Sequence, residues 1–168
     1  MHGPELKAWC ESVGLSASGL GHLLGIKTRT IGYWLNFESP VPPPGVLEAI
    51  SQAVFALENR LAFLREQLAQ TSAPIFLVYR TLEDIKQFDP DSYRVGLTPE
   101  GHRALLWATR KGRPLRYLEA PEYARWLAST GVPDTLESRA LWAQGFEPIN
   151  QRNAPAGMKV ADGFGRDE

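Results

Sequence analysis

The stretch that most limits what this chain can fold into is 15–36, LSASGLGHLLGIKTRTIGYWLN, because it spells two short helices joined by a tight turn. Ser16 precedes the first helical pattern, where a hydroxyl can accept an orphan backbone N–H. Leu20, Leu23 and Leu24 then repeat at helical spacing and give that helix one apolar face. Gly25 is placed to end it, since glycine reaches positive φ at little steric cost. Ile26 follows as an inward plug, and 27–35 predicts a second helix whose inward residues are Ile31, Trp34 and Leu35.

That assignment leaves Thr28, Arg29, Gly32, Tyr33 and Asn36 on one outward stripe of the second helix. The stripe holds a guanidinium, hydroxyls, an amide and a bare glycine, and no carboxylate. Those groups suit a DNA major groove, which presents hydrogen-bond acceptors, donors and methyl groups. Gly32 costs roughly 1 kcal/mol of helix propensity relative to alanine, a cost that close approach to another surface would explain.

Leu15, Ser16, Leu20, Gly21, Leu24, Gly25, Ile26, Thr30, Ile31, Trp34 and Asn36 together resemble the Cro/C1-type (Xre-like) helix-turn-helix. Gly21 stands where that family needs a small residue for its two helices to pack. The resemblance implies that Thr28, Arg29, Gly32 and Tyr33 approach base edges and that Asn36 touches phosphate; Lys27 and Thr30 are expected to hold phosphates beside it. Ala17 departs from the family by replacing a phosphate-holding glutamine, and Phe37 by replacing a glycine.

The rest of the chain is read outward from this motif. Residues 4–13 predict a first helix, with Leu6, Trp9, Cys10 and Val13 in one apolar stripe. Residues 37–45, FESPVPPPG, predict a stiff connector. Residues 45–70 predict a long helix, in which Leu47, Ile50, Val54, Leu57, Leu61, Leu64 and Leu68 alternate spacings of three and four as a heptad seam does. Ile75 to Tyr79 is a compact β-type run, and Thr81 with Asp84 signals a capped helix. Asp89-Pro90-Asp91 is read as a turn, 92–97 as a second strand, and Thr98-Pro99 as the start of a helix reaching about Lys111 and burying Leu105, Leu106 and Trp107 or Ala108. Two further short helices are expected at 121–129 and 134–144.

Two short strands and two helices are too few for an independent domain, so a second copy is expected to complete the sheet. Leu57, Leu61, Leu64 and Leu68, with Phe76 and Val78, are the expected dimer contacts, although the same seam also suits an intrachain core. The predicted fold is mainly α with a small β component. It comprises an N-terminal helix-turn-helix bundle (1–57), a long helix continuing into a small α+β dimerisation region (58–112), a helical extension (113–147) and a disordered tail (148–168).

The order of elements over about 5–111 also resembles the anti-CRISPR-associated autorepressors of phages and their small bacterial relatives. That resemblance implies a homodimer that binds an inverted repeat of double-stranded DNA in a promoter and represses its own operon. One lineage of that family also binds RNA.

Charge tempers the DNA reading. The net charge is −1, and residues 1–40 are balanced at three positive and three negative. Residues 79–117 carry eight positive and five negative charges, with Arg110, Lys111, Arg113 and Arg116 clustered as a possible phosphate contact. Non-specific affinity, which rests on phosphate neutralisation, is therefore expected to be modest. The balanced first region and the extension after Gly112 also suit a protein–protein adaptor or an antitoxin-like subunit that uses the motif as a scaffold.

No metal site, cofactor or catalytic activity is expected. His2, His22 and His102 are scattered, with no ligand spacing to a cysteine or carboxylate, and no glycine-rich phosphate loop follows a strand. Cys10 is the lone cysteine and is read as a small buried hydrophobe. Lacking a run of 18 apolar residues or a secretory pattern at its start, the chain is expected to be cytoplasmic, without a membrane partner.

Overall fold

The computed structural model describes residues 3–37 and 41–145. The tail expected at 148–168 and part of the proline-rich connector lie outside the described residues. Three short helices open the fold: α1 (Gly3–Ser12), α2 (Ala17–Leu24) and α3 (Thr28–Asn36). Leu6 and Cys10 of α1, and Val13 in the turn after it, are buried with Leu20 of α2 and with Ile31 and Leu35 of α3. Burial pushes the Cys10 thiol up to about 11, so it stays a neutral packing group.

The long helix α4 (Pro44–Gln70) follows, with Pro44 at its first position, where a missing N–H costs nothing. Strand β1 (Phe76–Val78) leads into α5 (Leu82–Phe88), α6 (Pro90–Arg94) and α7 (Pro99–Thr109). Strand β2 (Leu115–Tyr117), α8 (Ala120–Thr130) and α9 (Leu136–Ala143) complete the described chain. The architecture is mainly α with one small parallel sheet, in the register Phe76↔Leu115, Leu77↔Arg116 and Val78↔Tyr117.

The local signals at 81 and 98 work as expected. The Thr81 hydroxyl accepts from the Asp84 N–H while the Asp84 carboxylate accepts from the Thr81 N–H, and the Thr98 hydroxyl accepts from the Gly101 N–H. Residues 92–97 do not form a strand. Asp89 accepts from the Ser92 N–H and Pro90 takes the first helical position, so Asp-Pro starts α6 instead of making a simple turn. The partner of β1 is Leu115–Tyr117, from the segment read as a basic cluster. On α7, Leu105 and Leu106 are buried, whereas Trp107 is 60% exposed and Ala108 is exposed.

The expected dimer contacts are core residues of one chain. Leu57, Leu61, Leu68, Phe76 and Val78 are each under 7% exposed, and Leu64 packs partly buried against them. The cover expected from a second copy comes from the same chain. The α7 helix packs on α4, α7 and α9 pack on β1, and β2 supplies the paired strand. Residues Leu118, Tyr123, Trp126, Ala140 and Ala143 join the same cluster as α1 to α4, so the segment 113–145 folds back as part of that core.

Two cluster arginines have structural duties. The Arg113 guanidinium donates to the Leu68, Thr71 and Ala73 carbonyls at 3.3, 3.1 and 3.2 Å, capping the C-terminus of α4, and lies over the Phe76 ring. Arg116 donates to the Ala143 carbonyl at the end of α9.

Candidate nucleic-acid interface

The α2–turn–α3 unit is held by its own backbone chemistry. The Ser16 hydroxyl accepts from the Gly19 N–H at 3.1 Å. Gly25 sits at φ 66°, and the Gly25 and Ile26 N–H groups both donate to the Gly21 carbonyl. A Cβ on Gly21 would lie 2.8 Å from the Ile26 carbonyl oxygen and 3.1 Å from the Thr28 hydroxyl. Only a residue without a side chain lets the start of α3 come this close to α2.

The back of the unit rests on the loop between α6 and α7. Gly96 sits at φ 83°, where an L side chain is strained, and a Cβ there would lie 2.6 Å from Leu23 Cδ1 and displace that leucine. His22 Nε2 and the Tyr93 hydroxyl are hydrogen-bonded at 3.0 Å. His22, exposed on α2, therefore ties α2 to α6. The motif is fixed against the second half of the chain through α2.

On α3, Ile31 and Leu35 are buried and Trp34 is half-buried against the core. Thr28, Arg29, Thr30, Tyr33 and Asn36 are exposed, as is Lys27 at its N-cap position. Nothing lies within 4 Å of a Cβ placed on Gly32. The expected residues thus share one open surface. The helix carries no carboxylate, and no side chain caps its first turn. Among the described residues, neither the Lys27 nor the Arg29 side chain has an ion-pair or hydrogen-bond partner, while the Lys27 carbonyl accepts from the Thr30 and Ile31 N–H groups.

Three features of this surface lay outside the sequence reading. Asn36 is already engaged: its amide donates to the Gly32 carbonyl at 2.7 Å and accepts from Lys7 Nζ at 2.9 Å. Lys7, on α1, therefore joins the C-terminal end of the stripe, although its ammonium also lies 3.9 Å from Glu11. Its place on the polar side of the first helix was the available signal, but nothing in the spacing linked it to a residue 29 positions later. Phe37 extends past the helix at φ −124° and packs on Tyr33, with ring centroids 4.9 Å apart. Phe37 thus braces the exposed tyrosine.

The positive surplus of 79–117 is largely spent within the chain. Arg80 pairs with Glu119, Arg94 with Asp91, and Lys86 with Glu83. Arg110 lies over the Trp107 ring at 3.5 Å, and Arg113 and Arg116 cap helices. No group of three or more His, Cys, Asp or Glu is placed to hold a metal ion among the described residues, and no described helix is long and apolar enough to cross a membrane. Compared with known proteins, the chain matches no family model and no curated sequence.

Proposed function

We propose that this chain is a sequence-specific double-stranded DNA-binding regulator of transcription, acting in the cytoplasm as a homodimeric autorepressor on an inverted repeat. The observation that carries the reading is the open, carboxylate-free face of α3, with the Lys27 and Arg29 side chains unpaired among the described residues and clear space over Gly32. In this reading Arg29 reads a guanine through its forked guanidinium, and Thr28 and Tyr33 meet base edges or thymine methyls. Gly32 lets the backbone approach. Lys27, Thr30 and the Lys7–Asn36 pair hold phosphates, which set register without reading sequence.

With the α4 seam used inside the chain, a second copy has other apolar surface to cover. Phe55 and Phe63 on α4 and Trp107 on α7 are 63%, 48% and 60% exposed. The adaptor reading loses one of its two supports, since the segment after Gly112 is occupied in the core.

Selection of bound duplexes from a random pool tests the reading. An enriched inverted repeat with half-sites about 34 Å apart supports a dimer reading successive major grooves. Arg29→Ala is expected to cost about 1–3 kcal/mol and to relax one base position. Unchanged affinity and sequence preference in that variant would refute the assigned readout. Enrichment of single-stranded RNA in a parallel pool would extend the partner class.

A further inference from the structure

A partly enclosed cleft of about 280 Å³ lies between the C-terminal half of α4, β1, α7 and the start of α9, well away from α3. Its volume is at the small end of ligand pockets and equals roughly ten water-sized groups. Most of its wall is apolar and includes Phe63, Leu64 and Leu105. Its polar side chains are unusual for a cleft cut into a core, because acceptors and donors are unequally satisfied.

Each carboxylate accepts three hydrogen bonds. Asp89 accepts from Arg60 at 2.6 Å and from both the N–H and the hydroxyl of Ser92. Asp134 accepts from Arg139 Nε and Nη2 at 2.7 Å each and from the Tyr123 hydroxyl at 2.8 Å. Donors are left over. The Tyr79 N–H donates to His102 Nδ1 at 3.5 Å, which puts the neutral imidazole's proton on Nε2. That Nε2–H has no partner among the described residues, on a residue only 8% exposed. The Tyr79 hydroxyl accepts from Arg139, and its own proton has no acceptor among them. Tyr79 and His102 are stacked at 4.3 Å, and both line the cleft.

The charges cancel. Arg60 is paired with Asp89 and Arg139 with Asp134, and burial holds His102 neutral. A buried anion or cation would meet no net opposite charge, whereas a neutral acceptor would satisfy the Tyr79 and His102 donors.

We propose that this cleft binds a compact, largely apolar organic molecule bearing a neutral carbonyl acceptor, held by the Tyr79 hydroxyl and His102 Nε2. The site is independent of the α3 surface and of whether that surface binds DNA.

The test uses the full chain labelled at histidine and observed by NMR. The chain has three histidines, so the His102 signal is assigned by elimination with His2→Asn and His22→Gln. Four probes are titrated: acetophenone, toluene, benzoate and benzylammonium. Acetophenone is expected to shift the His102 resonance saturably, with a Kd on the order of 1 mM, as its size allows. The other three are expected to bind at least tenfold more weakly. Leu64→Trp, which fills the cleft, should abolish the acetophenone shift in a chain that still melts cooperatively; a retained shift in that folded variant would place the probe elsewhere and overturn the proposal. If Leu64→Trp does not fold, the comparison of probes on the unmodified chain decides. Equal binding of toluene would make the cleft a merely apolar hole. Tighter binding of benzoate or benzylammonium would overturn the neutral acceptor, and no saturable shift of His102 would overturn the site.

Discussion

Gly32→Ala separates the two things a glycine in the middle of α3 can be doing. Gly32 lies within a regular helix, and the position its Cβ would occupy has no neighbour within 4 Å. An added methyl therefore meets no clash in the folded chain, while alanine removes backbone freedom from the unfolded one. The expected gain is about 0.5–1 kcal/mol. For a chain of this size that raises the melting temperature by roughly 2–4 °C per kcal/mol. If the glycine is kept because duplex DNA packs against the bare backbone, the same methyl intrudes on the complex. Affinity for the selected repeat should then fall tenfold or more, which is about 1.4 kcal/mol in the opposite direction. Urea melts and fluorescence anisotropy on one preparation read both quantities. Higher stability with undiminished affinity would refute the close approach at Gly32. Lower stability would refute the open space over it.

Other variants probe the frame. Arg113→Met should destabilise the fold by about 1–3 kcal/mol, because three carbonyls at the end of α4 lose a charged donor. It should leave the salt dependence of DNA binding unchanged, whereas Lys27→Ala should flatten that dependence by about one phosphate; the reverse pattern would restore the basic cluster as a phosphate contact. Acid should weaken the fold through His102, whose pKa falls from 6.5 to about 3, first through burial and then through the nearby Arg139 charge. The unfolded chain takes up this proton below about pH 6.5 and the folded chain does not until about pH 3, so stability is full above 6.5 and declines as pH falls through that window. At pH 5 the loss is up to about 2 kcal/mol, at 1.36 kcal/mol per unit. Melts at pH 7 and pH 5 should differ by that much more in the parent than in His102→Gln.

Legibility in the sequence followed the range of the interactions. Ser16, Gly25, Thr81 and Thr98 act on backbone groups a few positions away, and each was readable from its neighbours. Asp89-Pro90 carried the same kind of signal as Thr98-Pro99, an oxygen-bearing cap followed by proline, and was misread because Asp-Pro also suits a turn. The real second strand had no local signature at all. Leu115–Tyr117 is three residues long and pairs with Phe76–Val78 across α5, α6 and α7. A parallel pair is defined by a partner that local periodicity does not see. On the exposed face of α3 the same division holds. The exposed stripe of α3 was legible from helical spacing, but Lys7 enters it from α1 and Asn36 is committed to Lys7 and to its own helix.

The heptad seam of α4 shows why a spacing pattern names a buried face without naming what buries it. Alternating threes and fours state that Leu57, Leu61 and Leu68 leave water together; they are silent on whether the cover comes from another molecule or from the same one. The deciding quantity is how much apolar surface the rest of the chain can offer. With 92–97 as the second strand and 113–147 outside the core, the sheet would have too little cover and would need a second copy. Once Leu115–Tyr117 pairs with β1 and α9 packs on it, the chain supplies the missing layer itself. Any dimer must then be held by surface the monomer leaves over, with Phe55, Phe63 and Trp107 the large exposed apolar groups on α4 and α7. A dimer built on such leftovers need not be obligate: the monomer has its own core, so dissociation at low concentration should precede unfolding instead of accompanying it. Sedimentation across a dilution series, with helicity followed in parallel, would decide the matter. Loss of helicity on dilution would mean that the seam is shared between chains after all.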